Sequence, residues 1–318
     1  RTQARGRVGG GEVMSQIEIK DLIPREELMA SGHLACPGCG GSLAMRLVLK
    51  ALGPKTIVAL PACCWTIVAG PYPQSSLGVP LYHTAFETAA STASGIRAAL
   101  DMAGATETTV LAWAGDGGTF DIGLQALSGA AERNENILYV CYDNEAYMNT
   151  GIQRSSATPW GAWTTTTPAK FPEATNKKDI LAIMAAHNIP YAATGTPAYP
   201  VDLIEKVSKA KAMRGTRFIH LLSPCPPGWK CGDDEGLELA RMAVQSCVFP
   251  MLEVEDGQRW RFTMEHAGDP VEPYLRRQGR FRHLSAEQVA HIQGEVIAHW
   301  EALRRRVPIS PVVSVGAH

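Results

Sequence analysis

The sequence predicts an α/β fold, an open and mostly parallel sheet with helices on both faces. Three observations carry this. Two apolar runs rich in β-branched and aromatic residues, Thr109–Trp113 and Ile137–Tyr142, read as buried strands of a parallel sheet. Between them, Thr119–Arg133 places Ile122, Leu124, Ala126, Leu127 and Ala130 at helical spacing, which makes one βαβ unit. A polar insert follows each strand, Gly115-Asp116-Gly117-Gly118 after the first and Asp143–Asn149 after the second. Open α/β sheets bind ligands at that carboxyl edge.

The residue types in the inserts point to a specific chemistry. Glycines at 115, 117 and 118 allow a sharp turn and a close approach of backbone to ligand. A helix starting near Thr119 aims free N–H groups and a positive dipole end at an anion such as phosphate. Asp116 supplies a hard carboxylate oxygen, Asn144 and Asn149 supply amide oxygens, and the Ala146 carbonyl is placed to join them. Such a set suits the octahedral oxygen shell of a Mg²⁺ ion carrying a diphosphate. A lone Asp-Gly turn is common; its pairing with an Asn-rich loop after the next strand gives the pattern its specificity.

Gly115–Gly117 followed by Asn144 resembles the diphosphate-binding motif of thiamine diphosphate enzymes. The longer string YDNEAYMNTGIQRSSATPWGAWTTTTP, residues 142–168, resembles the β subunit of 2-oxoacid:ferredoxin oxidoreductases, the pyruvate branch in particular. The resemblance implies that Asp116, Asn144, the Ala146 carbonyl and Asn149 form the Mg²⁺ shell. It implies that Gly115, Gly117 and Gly118 lie against the cofactor, and that Asn149 also faces the substrate as a catalytic residue. The implied reaction is oxidative decarboxylation of a 2-oxoacid with coenzyme A, giving an acyl thioester, CO₂ and reduced ferredoxin.

The cysteines carry a second signal. Cys36 and Cys39 form a C-x-x-C pair in GHLACPGCGG, just before an apolar helix expected over Ser42–Leu52. Cys63 and Cys64 follow a strand expected at Thr56–Leu60, and Cys225 lies between prolines. The chain has 8 cysteines and no secretory features, so a disulfide framework is not expected. A C-x-x-C pair with two isolated loop cysteines suits Zn²⁺ or a 4Fe–4S cluster. Spacing alone leaves zinc, cluster, a redox pair and inert thiols all open. The resemblance selects the cluster, on Cys36, Cys39, Cys64 and Cys225, with Cys64 also close to the cofactor. It prefers Cys64 to Cys63 by the distance to Pro71-Tyr72-Pro73, although the family usually has Gly where Cys63 stands. Cys231 is the alternative fourth ligand. Cys141, inside a strand, reads as core, and Cys247 as a non-ligand thiol.

Composition sets outer bounds. At 318 residues, with 45% hydrophobic and 19% charged, the chain can bury one large α/β core. A formal net charge of −1 provides no basic excess for nucleic acid. No run approaches a membrane span and no signal peptide precedes the first apolar segment, which makes the cytoplasm the default expectation. Arg1–Val13 reads as an arm or tag remnant, Met14 as a natural start, and Ile17–Leu28 as a docking segment. Residues 14–250 are expected to form the cofactor domain and 251–318 a C-terminal extension against a partner.

The remaining elements follow in order. Tyr82–Ala105 reads as a closely packed helix beginning near Phe86, with His83 a satisfied core histidine and Glu87 a cap rather than catalysts. Gln153–Lys170 reads as a polar interface loop. A second βα series is expected at Asp179–His187, Tyr191–Thr194, Pro200–Ala212 and Thr216–Ser223, the last strand delivering Cys225 to the ligand edge. A helix Glu235–Gln245, a hairpin on the Asp256-Gly257 turn and a helix Ser285–Arg304 complete the chain. Arg276, Arg277, Arg280 and Arg282 read as a basic surface patch. Nothing matches an aminopyrimidine pocket or a substrate-carboxylate clamp. The expectation is therefore an obligate hetero-oligomer with a substrate-binding subunit and a ferredoxin-like subunit. Two rival readings remain: the same family acting on oxalate, phenylglyoxylate or a branched-chain 2-oxoacid, and a zinc-stabilised scaffold subunit without catalysis.

Overall fold

The computed structural model describes residues 22–307. The expected arm at 1–13, the start at Met14 and the first part of the 17–28 segment lie outside the described residues, as does the chain beyond 307. The strands are β1 (Thr56–Pro61), β2 (Leu81–Thr84), β3 (Thr109–Gly115), β4 (Leu138–Asp143), β5 (Tyr191–Gly195), β6 (Arg217–Leu222), β7 (Met251–Glu255) and β8 (Arg259–Met264). They form one sheet in the order β2-β1-β3-β4-β6-β5-β7-β8. The pairings among β1 to β6 are all parallel, and the β7–β8 hairpin adds antiparallel strands beside β5. The α/β expectation holds.

Helices cover both faces, which is why β4 is buried at every position and β3 at every position after Thr109. The helices are α1 (Gly40–Leu52), α2 (Cys64–Val68), α3 (Ala89–Met102), α4 (Leu124–Glu132), α5 (Ile180–Ala185) and α6 (Pro200–Ala212), followed by α7 (Pro226–Trp229), α8 (Gly236–Gln245), α9 (Val271–Arg276) and α10 (Ala286–Arg306). On one face α1 and α6 pack over Trp65, Trp113 and Tyr142; the Trp113 ring stacks on Tyr142 and meets Trp65 edge to face. On the other, α3, α4, α5 and the end of α10 cover Phe120, Tyr139 and Phe218.

The register sets the site. Gly115 pairs with Tyr142, and Asp143 with Leu222, so Asp116, Asn144 and Ser223 all emerge at one edge. From β1 the chain runs outward to β2, then returns across to β3 on the other side. That reversal opens a crevice at the carboxyl ends.

Several expectations need correction. The Tyr82–Ala105 stretch is not one helix: Leu81–Thr84 forms an edge strand and α3 starts at Ala89. The strand is four residues long with Tyr82 and His83 exposed, so it leaves no apolar run to read. His83 is thus not a core residue, and it shares no helix face with Glu87. The helix expected near Thr119 begins instead as a turn of π-helix, Gly117–Asp121, before α4. Gly123 makes this possible, since a Cβ there would fall 2.0 Å from the Gly118 carbonyl oxygen. The Asp256-Gly257 turn forms as expected, both residues at positive φ, with Gln258 N–H donating to Glu255 O at 3.1 Å. Among the described residues no helix is long and apolar enough to cross a membrane.

Close backbone contact makes a glycine prediction. Gly40 N–H donates to Pro224 O at 2.9 Å, and a Cβ on Gly40 would lie 2.6–2.9 Å from Pro224 atoms. Gly40→Ala should therefore cost about 1–3 kcal/mol by overpacking. Gly294→Ala in α10, where nothing lies within 4 Å, should gain about 0.5–1 kcal/mol of helix stability. Thermal unfolding of the two variants checks the opposite signs.

Candidate active site

A crevice of about 130 Å³ lies at the reversal point, lined by residues that follow β1, β2, β3 and β4. Its walls are Cys63, Cys64, Phe86, Gly115–Gly118, Asn144 and Ala146–Thr150. The glycines matter here through space rather than through unusual torsions. A Cβ on Gly117 would fall 2.1 Å from Tyr147 Cε1, and one on Gly118 would lie 3.3 Å from Phe86 Cε2. The Phe86 and Tyr147 rings meet edge to face at 5.9 Å above them.

The Asp116 carboxylate, the Asn144 amide and the Ala146 carbonyl converge from the two loops. One end of the Asn144 amide lies 3.0 Å from Asp116 Oδ1 and 2.9 Å from Ala146 O. With nitrogen at that end, the amide donates to both. Turned to place its oxygen there, the amide would complete a set of three acceptors of the kind a bound cation takes. Asp116 is buried, and its other oxygen accepts from the Ser155 hydroxyl at 2.5 Å. Burial and the nearby Asp143 charge push the Asp116 carboxyl well above its ordinary range, while the Ser155 bond opposes them. Asn149 lines the same crevice and is exposed.

Buried charges hold this loop from beneath. Asp143 accepts from His220 Nε2 at 2.7 Å and pairs closely with Lys177. Burial works against its carboxylate, yet Lys177 and His220 hold it below the usual range. Glu145, at φ 71°, takes Lys177 Nζ at 3.0 Å and Arg280 Nη2 at 2.6 Å. The same two carboxylates raise the ammonium of Lys177 against its burial. Arg280 is therefore no part of a surface patch: it is 2% exposed and stacks on Trp229 at 4.4 Å. Its expected companions do stay near the surface, Arg276 beside Glu272 and Arg277 beside Glu235.

The loop expected over Gln153–Lys170 also differs from its polar appearance. Ser155, Ser156, Ala157, Thr158, Ala162 and Thr164 are buried, and the Ser155, Ser156 and Thr158 hydroxyls donate to Asp116, Asp121 and the Glu145 carbonyl. Ser156 N–H and the Tyr147 hydroxyl both donate to Asp121 Oδ2, at 3.1 and 2.8 Å. Sequence reading missed Ser155, Asp121 and Glu145. The available signal was the polar density of the string, two serines and two acids within one motif-bearing segment.

The cysteines gather behind the crevice. Gly40 and Pro224 tie the Cys36–Cys39 turn to the Cys225 loop. Burial pushes the Cys64 thiol up to about 12, and Cys63, Cys225 and Cys39 close by add to it. Cys225 is likewise raised to about 12 by burial, with Cys39 and Cys36 among its neighbours. Burial raises the Cys63 thiol too, opposed by hydrogen bonds with the Tyr142 hydroxyl and the N–H groups of Trp65, Thr66 and Gly115. The largest influences on Cys231 are burial and Glu235 rather than another thiol. Cys141 and Cys247 are buried in other parts of the chain. Among the described residues, no three His, Cys, Asp or Glu draw together tightly enough to hold a single metal ion. A larger cavity of about 310 Å³ lies between the sheet and α10; its walls are chiefly apolar and it meets the 143–149 loop only at Glu145.

Comparison with known proteins matches this geometry to a family. Residues 63–221 match the thiamine pyrophosphate enzyme, C-terminal TPP binding domain. The ketoisovalerate oxidoreductase subunit VorB of Pyrococcus furiosus is 49% identical over 305 residues, covering 92% of this chain and 98% of that protein. The pyruvate synthase subunit PorB of Methanothermobacter thermautotrophicus is 49% identical over 286 residues, covering 89% and 99%. Equal identity to both does not favour the pyruvate branch. The 2-oxoglutarate:ferredoxin oxidoreductase of Magnetococcus marinus superposes with a TM-score of 0.56 over 69% of this chain and 80% of that one; at 23% identity it shows the shared fold. With near-full-length relatives at that identity, the chain belongs to the 2-oxoacid:ferredoxin oxidoreductase family, as its thiamine diphosphate-binding β subunit.

Proposed function

We propose that this chain seats thiamine diphosphate on a Mg²⁺ ion held by Asp116, Asn144 and the Ala146 carbonyl, beside a 4Fe–4S cluster on Cys36, Cys39, Cys64 and Cys225. The observation that supports the reading is the convergence of Asp116 Oδ1 and Ala146 O on one end of the Asn144 amide, at 3.0 and 2.9 Å. Mg²⁺ takes its ligands at about 2.0–2.1 Å, so adjacent corners of its octahedron lie about 2.9 Å apart. Gly117 and Gly118 leave backbone, not side chain, facing the diphosphate, and Tyr147 and Phe86 close the wall above it.

Thiamine diphosphate supplies a nucleophilic carbon and an electron sink for decarboxylating a 2-oxoacid. The cluster would take the electrons singly, one reason for Cys64 to line both the crevice and the thiol group. A C-x-x-C pair with two loop cysteines suits such a cluster. Asn149, exposed and lining the crevice, is placed to meet substrate. Arg154 is not free to clamp a substrate carboxylate, because Glu173 and Thr175 hold its guanidinium at 2.9 and 2.7 Å. That clamp and the aminopyrimidine pocket are left to a partner subunit, with ferredoxin as the final acceptor. The substrate is a small 2-oxoacid, pyruvate or a branched-chain relative, which the matched subunits' names leave equally open.

Two experiments on the assembled complex test this. The wild-type complex should reduce a viologen dye with 2-oxoacid and coenzyme A. Asp116→Ala should lose that activity and lower thiamine diphosphate retention by more than about ten-fold, since even outer-shell changes cost about 10–100-fold in metal affinity. An Asp116→Ala complex that purifies with stoichiometric cofactor contradicts the metal site. For the cysteine doublet, Cys64→Ser should strip iron while Cys63→Ser keeps it; iron analysis with the reverse result exchanges the two roles.

A further inference from the structure

Arg280 comes from the far end of the chain yet lies under both halves of the proposed centre. Its turn, Gly279–Phe281, belongs to the segment after the β7–β8 hairpin. Gly279 N–H donates to Lys230 O at 3.0 Å and Trp163 N–H donates to Arg280 O at 2.9 Å, which fix the backbone. The guanidinium is aimed by Gln278, whose Oε1 accepts from Nε at 2.9 Å. From there it reaches two loops. Nη2 donates to Glu145 Oε2 at 2.6 Å, and Glu145 stands between Asn144 and Ala146. The flat face lies on the Trp229 ring.

Trp229 completes the link. Its indole N–H donates to Asn144 O at 3.1 Å, and its backbone N–H donates to Cys225 O at 2.8 Å. One guanidinium thus supports the Asn144–Ala146 loop through Glu145 and the Cys225 turn through Trp229. Glu145 needs this support, because its positive φ is a backbone state that a non-glycine residue keeps only when its surroundings enforce it. Lys could supply the charge, but not the planar stack and fork together.

We propose that Arg280 is a positioning residue that couples the metal–diphosphate loop to the Cys225 loop, so that a single side chain sets both cofactor retention and the surroundings of the cluster. The proposal rests on the functional reading above.

The assembled complex provides the test, with Arg280→Met, Arg280→Lys, Glu145→Gln and the double variant Glu145→Gln/Arg280→Met. The exposed Arg304→Met in α10 is the control. Thiamine diphosphate affinity is read by titration of the cofactor-depleted complex, and the cluster by its reduced-state EPR spectrum and potential. Arg280→Met should weaken cofactor binding at least ten-fold and shift the cluster signal in the same preparation. Arg280→Lys should restore part of the affinity but not the cluster signal, since stacking on Trp229 is lost. The double variant should be no worse than Arg280→Met, as expected for residues acting through one contact. If Arg280→Met fails to assemble, Arg280→Lys and Glu145→Gln still decide: both readouts at the Arg304→Met level overturn the proposal. So does a cofactor effect with an unchanged cluster signal in Arg280→Lys. A wild-type complex lacking cofactor or cluster would instead overturn the reading on which the proposal rests.

Discussion

The Asp116 carboxylate, the Asn144 amide and the Ala146 carbonyl are held together at the carboxyl edge of β3 and β4, and much of the surrounding structure serves to keep them there. Asp116 is fixed by the register of β3 and by Ser155, Asn144 by the end of β4, and Ala146 by the strained Glu145 beside it. Beneath them Asp143, Glu145, Lys177 and Arg280 form a buried group of two anions and two cations. A buried charge is tolerable only when paired, and stripping one partner from such a group costs about 3–5 kcal/mol. The network therefore stabilises one loop geometry and penalises alternatives.

The same constraint explains the aromatic and glycine content around it. Tyr147 can fold over the crevice only because Gly117 has no side chain, and its hydroxyl is then caught by Asp121. Asp121 also takes the backbone and hydroxyl of Ser156, so the 153–170 segment is drawn inward rather than left for solvent. On the opposite side Gly40 lets the Cys36–Cys39 turn touch the Cys225 loop. Close backbone approach, not positive φ, is what these glycines provide.

Much of this was legible in the sequence because it is local. The βαβ unit, the Asp116 turn, the Asn144 loop and the α6 boundaries follow from periodicity and turn chemistry acting within a few residues. What was not legible depends on partners far along the chain. Arg280 looked like a surface arginine because its partner Glu145 lies 135 positions away. The loop containing Ser155 read as a polar interface loop because the burial of its hydroxyls depends on Asp116 and Asp121. Strand β2 was missed because an exposed edge strand need not be apolar. The cysteine doublet is a further case: spacing brought Cys63 and Cys64 forward together, while the bond between Cys63 and the Tyr142 hydroxyl depends on a residue far along the chain.

The central claim is that the oxygens of Asp116, Asn144 and Ala146 hold a divalent ion that carries the cofactor's diphosphate. Replacing Mg²⁺ by Mn²⁺ in the assembled complex and recording pulsed EPR tests it most directly. The account predicts one tightly bound Mn²⁺ with strong phosphorus-31 coupling from both phosphate groups. Mn²⁺ bound without phosphorus coupling, while thiamine diphosphate is present, would contradict it.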